Sequence, residues 1–585
     1  MNQSKKNPLL VTLLLLSLIF GIGTTYINYN NYIWHFPASL FLYMLYLASC
    51  LATVFFSFRA KIYLKTFNAK QNLFIGLMLL MFLGGWVLVK QDWPYALFLY
   101  ASVCFLISGL LILRSAPAIG KVLFIGAFII SIINVAPIFF FISEKSFITK
   151  DLIATLFISN RNEAGEYMAS RLNYWHTIAV FIFIITVVFL FRLNKKNALS
   201  KLPLSVWALF FISFFTLSLS GPIGALTFGY ISNVSQTKKL TQMIKERSQR
   251  LQEYKFAVHP DSTAAKKIVV IVGESLNRNY MGLYGYAKPT TPNLSALLQD
   301  STSSYRLFKF ENVVSPEVST VPSLKKVLTN VSQRNPIPFE NALTIVDYFN
   351  SAGYKTHWIS NQVQLGESST PITVISTTAS QIYFSGLEDS TENGKSPIGT
   401  KYDETLLAPF EKYIAADSTG KEVYFVHLMG NHWNYDDRYP PKFNFFKERE
   451  KDDVSLYLNS VLYNDWVVSR IMEIAKEHGA DAVIYFSDHS EILATGHNLE
   501  KFEPEMVEIP FMVYVSENYL HKNKGLENRL IANQNTPAMN DNFFHFIQDF
   551  TGVKSTLYDT TASFISPQYI RKKRIVNNNS YNYDK

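Results

Sequence analysis

A chain of 585 residues that is 49% hydrophobic is too long for one ordinary domain. Its net charge of +9 would suit a nucleic acid, but no basic patch with a readable nucleic-acid motif accompanies it, and that partner is set aside. The only two cysteines, Cys50 and Cys104, lie in apolar runs, which excludes an external fold stapled by disulfides.

Up to about Gly221 long apolar runs dominate; beyond it charged and polar residues are regularly interspersed. A bilayer core needs about 20 apolar residues per helical span. Seven runs meet that measure: Pro8–Ile27, Pro37–Phe58, Asn72–Val89, Trp93–Leu113, Val122–Ile142, Trp175–Phe191 and Pro203–Ser220. The first is read as a span rather than a cleaved leader, because no small-residue cleavage site follows it.

Loop charge sets the orientation. Lys5 and Lys6 precede span one. Arg59, Lys61, Lys65 and Lys70 follow span two, Arg114 and Lys121 follow span four, and Arg192, Lys195, Lys196 and Lys201 follow span six. The alternate loops are neutral, as in Asn28–Phe36, or mixed, as in the external helical loop 144–173. The N-terminus is therefore expected in the cytoplasm, and everything after Ser220 outside. Positive charge left over after these loops suits a surface beside anionic lipid.

The expected organisation is a transmembrane helical domain over 1–221, a linker helix over 222–265, a catalytic domain over 266–570 and a flexible tail over 571–585. In the catalytic part, strands are predicted at Ile268–Val272, Lys355–Ile359, Glu422–Leu428, Ala482–Phe486 and Phe511–Val515. Helices are predicted at Pro322–Leu328, Ala342–Ala352, Asp403–Ala415, Val454–His478 and Asn540–Phe550. This alternation predicts an α/β fold, a mostly parallel sheet covered by helices on both faces.

Ligands gather beyond the carboxyl ends of strands in such sheets. The run Ala482–Phe486 ends in Ser487-Asp488-His489, and Ile268–Val272 ends in Gly273-Glu274-Ser275. A lone acid after a strand is commonly a helix cap. Two carboxylates and an imidazole brought to one edge suit zinc instead, which takes O and N ligands and keeps an open position when catalytic. A second metal is left open.

Ser319-Thr320-Val321-Pro322 opens a helical pattern, with Pro322 suited to the first turn. Thr320 then lies where free N–H groups favour phosphate, and a metal would favour its alkoxide as a nucleophile. Serine and threonine before proline are also ordinary caps, and Ser319 stands as the neighbouring alternative. Two more histidines lie near this edge: His432, in Met429-Gly430-Asn431-His432, and His497, after Gly496. Both suit phosphate binding, protonation of a leaving group or a second metal. His427, inside a strand, and His357, before Trp358, read as core residues.

Together these segments resemble the membrane-bound phosphoethanolamine transferases of the alkaline phosphatase and sulfatase superfamily. Also matching are Leu283-Tyr-Gly-Tyr-Ala-Lys-Pro-Thr-Thr-Pro-Asn-Leu294 and Asn459-Ser-Val-Leu-Tyr-Asn-Asp465. The resemblance covers about Lys266 to Phe550. It implies one tight zinc held by Glu274, Asp488, His489 and the Thr320 hydroxyl, with Asn431, His432 and His497 at the substrate phosphate. It implies a ping-pong transfer from phosphatidylethanolamine, through a phospho-threonine and with release of diacylglycerol, to an outer-leaflet acceptor such as lipopolysaccharide. It also implies a bacterial inner-membrane protein with a periplasmic catalytic domain.

The chain departs from the lipid A branch in three places. Its nucleophile segment Ser315-Pro-Glu317-Val-Ser319-Thr320-Val-Pro322 has no cysteine, Ser490 stands where glycine usually follows Asp-His, and seven candidate spans replace five. It is closer to the branch that modifies lipopolysaccharide core sugars. A phosphoglycerol transferase acting on lipoteichoic acid or periplasmic glucan would share the arrangement. A sulfatase would need Cys or Ser in a C/S-x-P-S-R segment, where this chain has Thr320-Val-Pro322-Ser323-Leu324.

Overall fold

The computed structural model describes residues 93–144, 257–362, 371–385, 402–416, 420–447, 453–493 and 502–585, with scattered positions between 181 and 242. The chain divides into two compact units, Met1–Val234 and Ser235–Lys585.

In the first unit, helices run over Trp93–Ser115, Pro117–Glu144 and Leu204–Phe215, where spans four, five and seven are expected. Phe105, Phe124 and Phe210 share one apolar cluster. A Cβ on Gly120 would lie 2.3 Å from Leu113 Cα, so only glycine lets the first two helices meet at their turn. Side chains are described for only part of each helix, and over the described residues no helix is long and apolar enough to cross a membrane. The spans expected at Pro8–Ile27, Pro37–Phe58 and Asn72–Val89 lie outside the described residues, as does the external loop over 145–173.

The second unit is built on a seven-stranded sheet. Its strands are β1 (Lys267–Gly273), β2 (Tyr305–Phe310), β3 (Lys355–Ser360), β4 (Gln381–Phe384), β5 (Glu422–His427), β6 (Ala482–Ser487) and β7 (Phe511–Ser516). Their spatial order is β2-β7-β6-β1-β5-β3-β4. Only β7 runs against the rest, pairing antiparallel with both β6 and β2, so the sheet is mixed rather than uniformly parallel. The edge strands β2 and β4 were not predicted. Tyr305-Arg-Leu-Phe-Lys-Phe310 alternates only loosely, and Gln381–Phe384 is four residues long.

Every apolar residue of β1 is buried because both faces of the sheet are covered. Ile268, Val270 and Val272 face a core with helices α2 (Thr320–Val327), α3 (Ile345–Ser351) and α6 (Phe543–Thr551). Val269 and Ile271 face the other core, with α1 (Pro292–Gln299), α4 (Leu407–Ala415) and α5 (Asp453–Glu477). Successive residues of a strand point to opposite faces, so one short run anchors both cores. At about 1.5–3 kcal/mol per fully buried large apolar side chain, these cores need no disulfide.

The two segments Asn459–Asp465 and Lys288–Leu294 meet structurally rather than catalytically. Asp465, on α5, accepts hydrogen bonds from Asn293 N (2.9 Å), Asn293 Nδ2 (2.7 Å) and Leu294 N (2.9 Å), capping α1 from outside its own chain segment. Burial pushes the Asp465 carboxyl up to about 6, and those three bonds pull it back. A raised folded pKa means that the folded state binds the proton more tightly, so this group's contribution to stability grows as pH falls from about 6 to 4. Asp465→Asn is expected to cost about 1–2 kcal/mol at neutral pH, since an amide turns a donor toward the helix N–H groups. It should also remove that pH dependence. Thermal melts at pH 5 and pH 7 check both.

In the tail over 571–585, expected to be flexible, Arg574 and Val576 are buried while most other residues are exposed or half-buried. Ile575–Val576 and Tyr581–Asn582 form a hairpin with Val576 fully buried, because Val576 and Tyr583 supply the apolar contacts that the Asn- and Lys-rich composition hides.

Candidate metal centre and nucleophile

Parallel register builds the site. Gly273 of β1 pairs with Ser487 of β6, so Glu274 and Asp488 are the next residues off neighbouring strands about 4.8 Å apart, on the same edge. Val272 pairs with His427 of β5 on the other side, so the chain from Leu428 to His432 leaves from that edge too. Just after Glu274 the backbone turns left-handed at Ser275, with φ 54°. This turn brings Ser275 N to Asp488 Oδ1 at 3.1 Å.

Potential ligand atoms of Glu274, Asp488 and His489 all lie within 4.8 Å of one another, and the three residues are buried. His489 Nε2 is 3.2 Å from Glu274 Oε1 and 3.5 Å from Asp488 Oδ2. Thr320 Oγ1, at the start of α2, lies 3.2 and 3.1 Å from the two Glu274 carboxylate oxygens and 3.4 Å from His489 Nε2. Four-coordinate zinc with bonds of about 2.0–2.1 Å has ligand–ligand edges of about 3.3–3.4 Å. The Glu274–His489, Thr320–Glu274, Thr320–His489 and Asp488–His489 separations, 3.1–3.5 Å, are close to those edges.

The surrounding bonds orient the ligand groups toward one another. His489 Nδ1 is 3.0 Å from Ser490 O, a carbonyl that can only accept, so Nδ1 donates to it and Nε2 is the nitrogen that would face a cation. Asp488 Oδ1 accepts from Ser275 N and His489 N, while the buried Oδ2 accepts nothing. A buried, unsatisfied carboxylate oxygen beside a second carboxylate and an imidazole is what a cation would relieve. Ser275 Oγ donates to Glu274 Oε1 at 2.7 Å and Gln362 Nε2 to Oε2 at 3.0 Å. Ser323 Oγ donates to Asp488 O at 2.6 Å, tying α2 to the strand end.

The three groups set one another's protonation. Burial, then the neighbouring Glu274 charge, pushes Asp488 up to about 8. Burial works against charging His489, but the Asp488 charge and the Glu274 bond overcome it and raise the imidazole to about 10. Burial would raise Glu274 as well; its bond to His489 wins and holds it well below the usual carboxylate range, with His432 adding a favourable charge interaction.

Asn431 and His432 arrive on a turn held by Asp403, which accepts Met429 N and Gly430 N at 2.8 Å each. Asn431 N donates to Glu274 O at 2.9 Å. The Asn431 side chain is buried and donates to Ser460 Oγ at 2.7 Å. His432 Nδ1 is buried without a hydrogen-bond partner. His427 and His357 are buried, as expected of core residues, and His427 is pushed down to about 4 by burial. His497 lies outside the described residues.

Gly430 has φ +53°, and a Cβ there would meet Glu274 O at 2.8 Å and N at 2.9 Å. Gly430→Ala is expected to displace Glu274, to destabilise the domain by about 1–3 kcal/mol and to weaken metal binding. A thermal melt read together with bound zinc checks this.

Gln362 was not anticipated, nor were the supporting roles of Ser275, Asp403 and Gly430. Gln362 had a signal: it follows β3 by two residues, at the edge where the other ligands gather.

Residues 266–553 match the family model described as sulfatase. Over a similar stretch the chain is similar to proteins named phosphoethanolamine transferase. It is 27% identical over 369 residues to phosphoethanolamine transferase EptC of Escherichia coli (strain K12), covering 60% of this chain and 62% of that protein, so the match spans about three fifths of the relative. The crystal structure of the C-terminal periplasmic domain of EptC from Escherichia coli, in complex with Zn, superposes with a TM-score of 0.50 at 27% identity, over 56% of this chain and 95% of that one. The integral membrane protein lipooligosaccharide phosphoethanolamine transferase A of Neisseria meningitidis shares the fold over 90% of this chain and 98% of its own, with a TM-score of 0.55 at 16% identity.

Proposed function

We propose that the chain is a zinc-dependent phosphoethanolamine transferase. It would move phosphoethanolamine from phosphatidylethanolamine to a glycolipid of the outer leaflet, lipopolysaccharide core sugar or lipid A. The observation that carries the reading is the Thr320 hydroxyl at tetrahedral-edge distance from both Glu274 and His489. The zinc complex of the EptC domain supports the metal. When bound, zinc held by Glu274, Asp488, His489 and Thr320 would favour the alkoxide and offset charge developing on the phosphoryl oxygens.

In the first half-reaction Thr320 Oγ1 attacks phosphorus. The Thr320 O–P bond forms, the bond to the diacylglycerol oxygen breaks, and the hydroxyl proton ends on diacylglycerol with His432 as relay. In the second, an acceptor hydroxyl attacks the phospho-threonine, its proton returns to Thr320, and the threonine is regenerated. Asn431 keeps the His432 turn against Glu274, and His497 is assigned to the substrate phosphate. Threonine cannot yield the formylglycine of sulfatases, which argues against sulfate ester hydrolysis.

A membrane setting fits the first unit. Ile119, Val122, Ile125, Ile129 and Ile133 are 63, 70, 54, 52 and 39% exposed and recur at helical spacing on one helix. Phe181, Ile185 and Val188 repeat the pattern. Such apolar stripes suit lipid. With the loop charges, this supports a multi-pass inner-membrane protein, N-terminus cytoplasmic and catalytic domain periplasmic. The absence of cysteine near Thr320 favours a core-sugar acceptor over lipid A. Mass spectrometry of outer-membrane glycolipids with and without the protein tests the reading. A gain of one phosphoethanolamine is expected, and its position names the acceptor. A gain of phosphoglycerol, or no change, overturns it.

A further inference from the structure

We infer that the C-terminal hairpin is a positioning element for the Thr320 hydroxyl and acts through the Glu317 carboxylate; this rests on reading Thr320 as the nucleophile. The hairpin tip is Asn577-Asn578-Asn579, all three left-handed, with φ 52°, 53° and 61°. Asparagine tolerates that conformation better than other side chains. Consecutive turned residues direct backbone N–H groups to one side, a concavity suited to an anion. Here one of those N–H groups meets the Glu317 carboxylate. Asn578 N donates to Glu317 Oε2 at 2.8 Å, and Asn577 N donates to Pro316 O at 3.0 Å. The other carboxylate oxygen, Oε1, accepts from Lys326 Nζ at 2.6 Å. Lys326 belongs to α2, the helix that Thr320 begins. One buried carboxylate, three residues before Thr320, thus ties the hairpin tip to the nucleophile helix.

The rest of the hairpin grips the same segment. Arg574 donates to Asp584 Oδ1 from Nε (2.9 Å) and Nη2 (2.7 Å), closing the hairpin, and from Nη1 to Asn312 Oδ1 at 2.8 Å. Val576 is fully buried among Val314, Val318, Met506 and Val507. The Tyr583 hydroxyl donates to Glu508 Oε1. Ser490 N donates to Met506 O at 3.0 Å, so the cluster also backs the chain leaving His489. Among the described residues, the hairpin's hydrogen bonds to the rest of the domain go to Asn312, Pro316, Glu317 and Glu508, around the nucleophile segment and its neighbour. Reactive groups must be held to within about 0.5 Å, and a 1 Å error costs about 10²-fold.

The test uses the full-length protein in mixed micelles of detergent and phosphatidylethanolamine. Asn578→Gly keeps the left-handed turn and the N–H, and should turn over as the parent does. Asn578→Pro loses both, and kcat for diacylglycerol release should fall about 10- to 100-fold while KM and bound zinc hold. Glu317→Gln keeps the shape and weakens both of its bonds; it should show the same split to a lesser degree, and it serves if the proline variant does not fold. Hydrogen exchange over residues 313–320, without substrate, should quicken in Asn578→Pro and Glu317→Gln and stay unchanged in Asn578→Gly. Parent-like kcat and exchange in both disruptive variants would overturn the inference. Should the parent itself release no diacylglycerol, the functional reading fails instead, and the exchange measurement alone decides the role of the hairpin.

Discussion

Thr320→Ala is expected to abolish release of diacylglycerol from labelled phosphatidylethanolamine, by on the order of 10³-fold or more, while the domain stays folded and keeps most of its zinc. Thr320 contributes one hydroxyl at the start of α2, and the helix cap is Ser319 rather than Thr320. Stability should therefore change by less than about 1 kcal/mol. Bound metal should survive because Glu274, Asp488 and His489 form the buried triad without help from the hydroxyl. Thr320→Ser keeps a nucleophile at the same backbone position and should retain measurable turnover. Ser319→Ala decides between the two neighbouring hydroxyls. Full turnover in Thr320→Ala together with loss in Ser319→Ala would move the nucleophile to Ser319. Trapping the intermediate and locating its mass on one peptide gives an independent reading of the same question.

The central strands were legible because their residues obey one rule. Ile268–Val272, Glu422–His427 and Ala482–Ser487 are short apolar runs buried on both faces, and they end in polar residues. In parallel register such runs deliver their last residues to one edge, which is why Glu274 and Asp488-His489 could be paired across more than two hundred positions. The edges of the sheet were harder, since β2 and β4 carry Arg306, Lys309 and Gln381 where one side meets solvent. Gln362 and Asp403 were hidden for another reason. Their roles arise from the turn at Met429–Gly430, whose shape depends on a positive φ and on hydrogen bonds between distant segments. The tail misled most: its composition is polar, yet Arg574, Val576 and Tyr583 each have a specific docking contact.

Glu274→Ala should remove zinc along with activity, and it provides the sharpest test of the metal centre. The substitution deletes the carboxylate that lies within 3.2 Å of both His489 Nε2 and the Thr320 hydroxyl, leaving one carboxylate, one imidazole and the Thr320 hydroxyl. A protonated hydroxyl is a weak ligand, so the two strong ligands that remain fall short of the three that catalytic zinc sites use. Zinc per chain is expected to drop from about one to near zero after dialysis. Gln362→Ala leaves every ligand in place and removes the amide's bonds to Glu274 Oε2 and, at 3.3 Å, to Leu428 O, so its effect should be about 10- to 100-fold in affinity. The order Glu274→Ala, then Gln362→Ala, then parent separates a ligand from the residue that orients it. Protons should compete with the metal, because burial and the Glu274 charge push Asp488 up to about 8, and the Asp488 charge and the Glu274 bond raise His489 to about 10. Zinc needs the first ionised and the second neutral, so binding releases protons and affinity must rise with pH through neutrality. Chelation should lower the melting temperature of the parent, by the stabilisation that a ligand of the folded state confers, and should leave Glu274→Ala unmoved. Parent-like zinc in Glu274→Ala, with turnover intact, would make the triad a relic and require a different reaction.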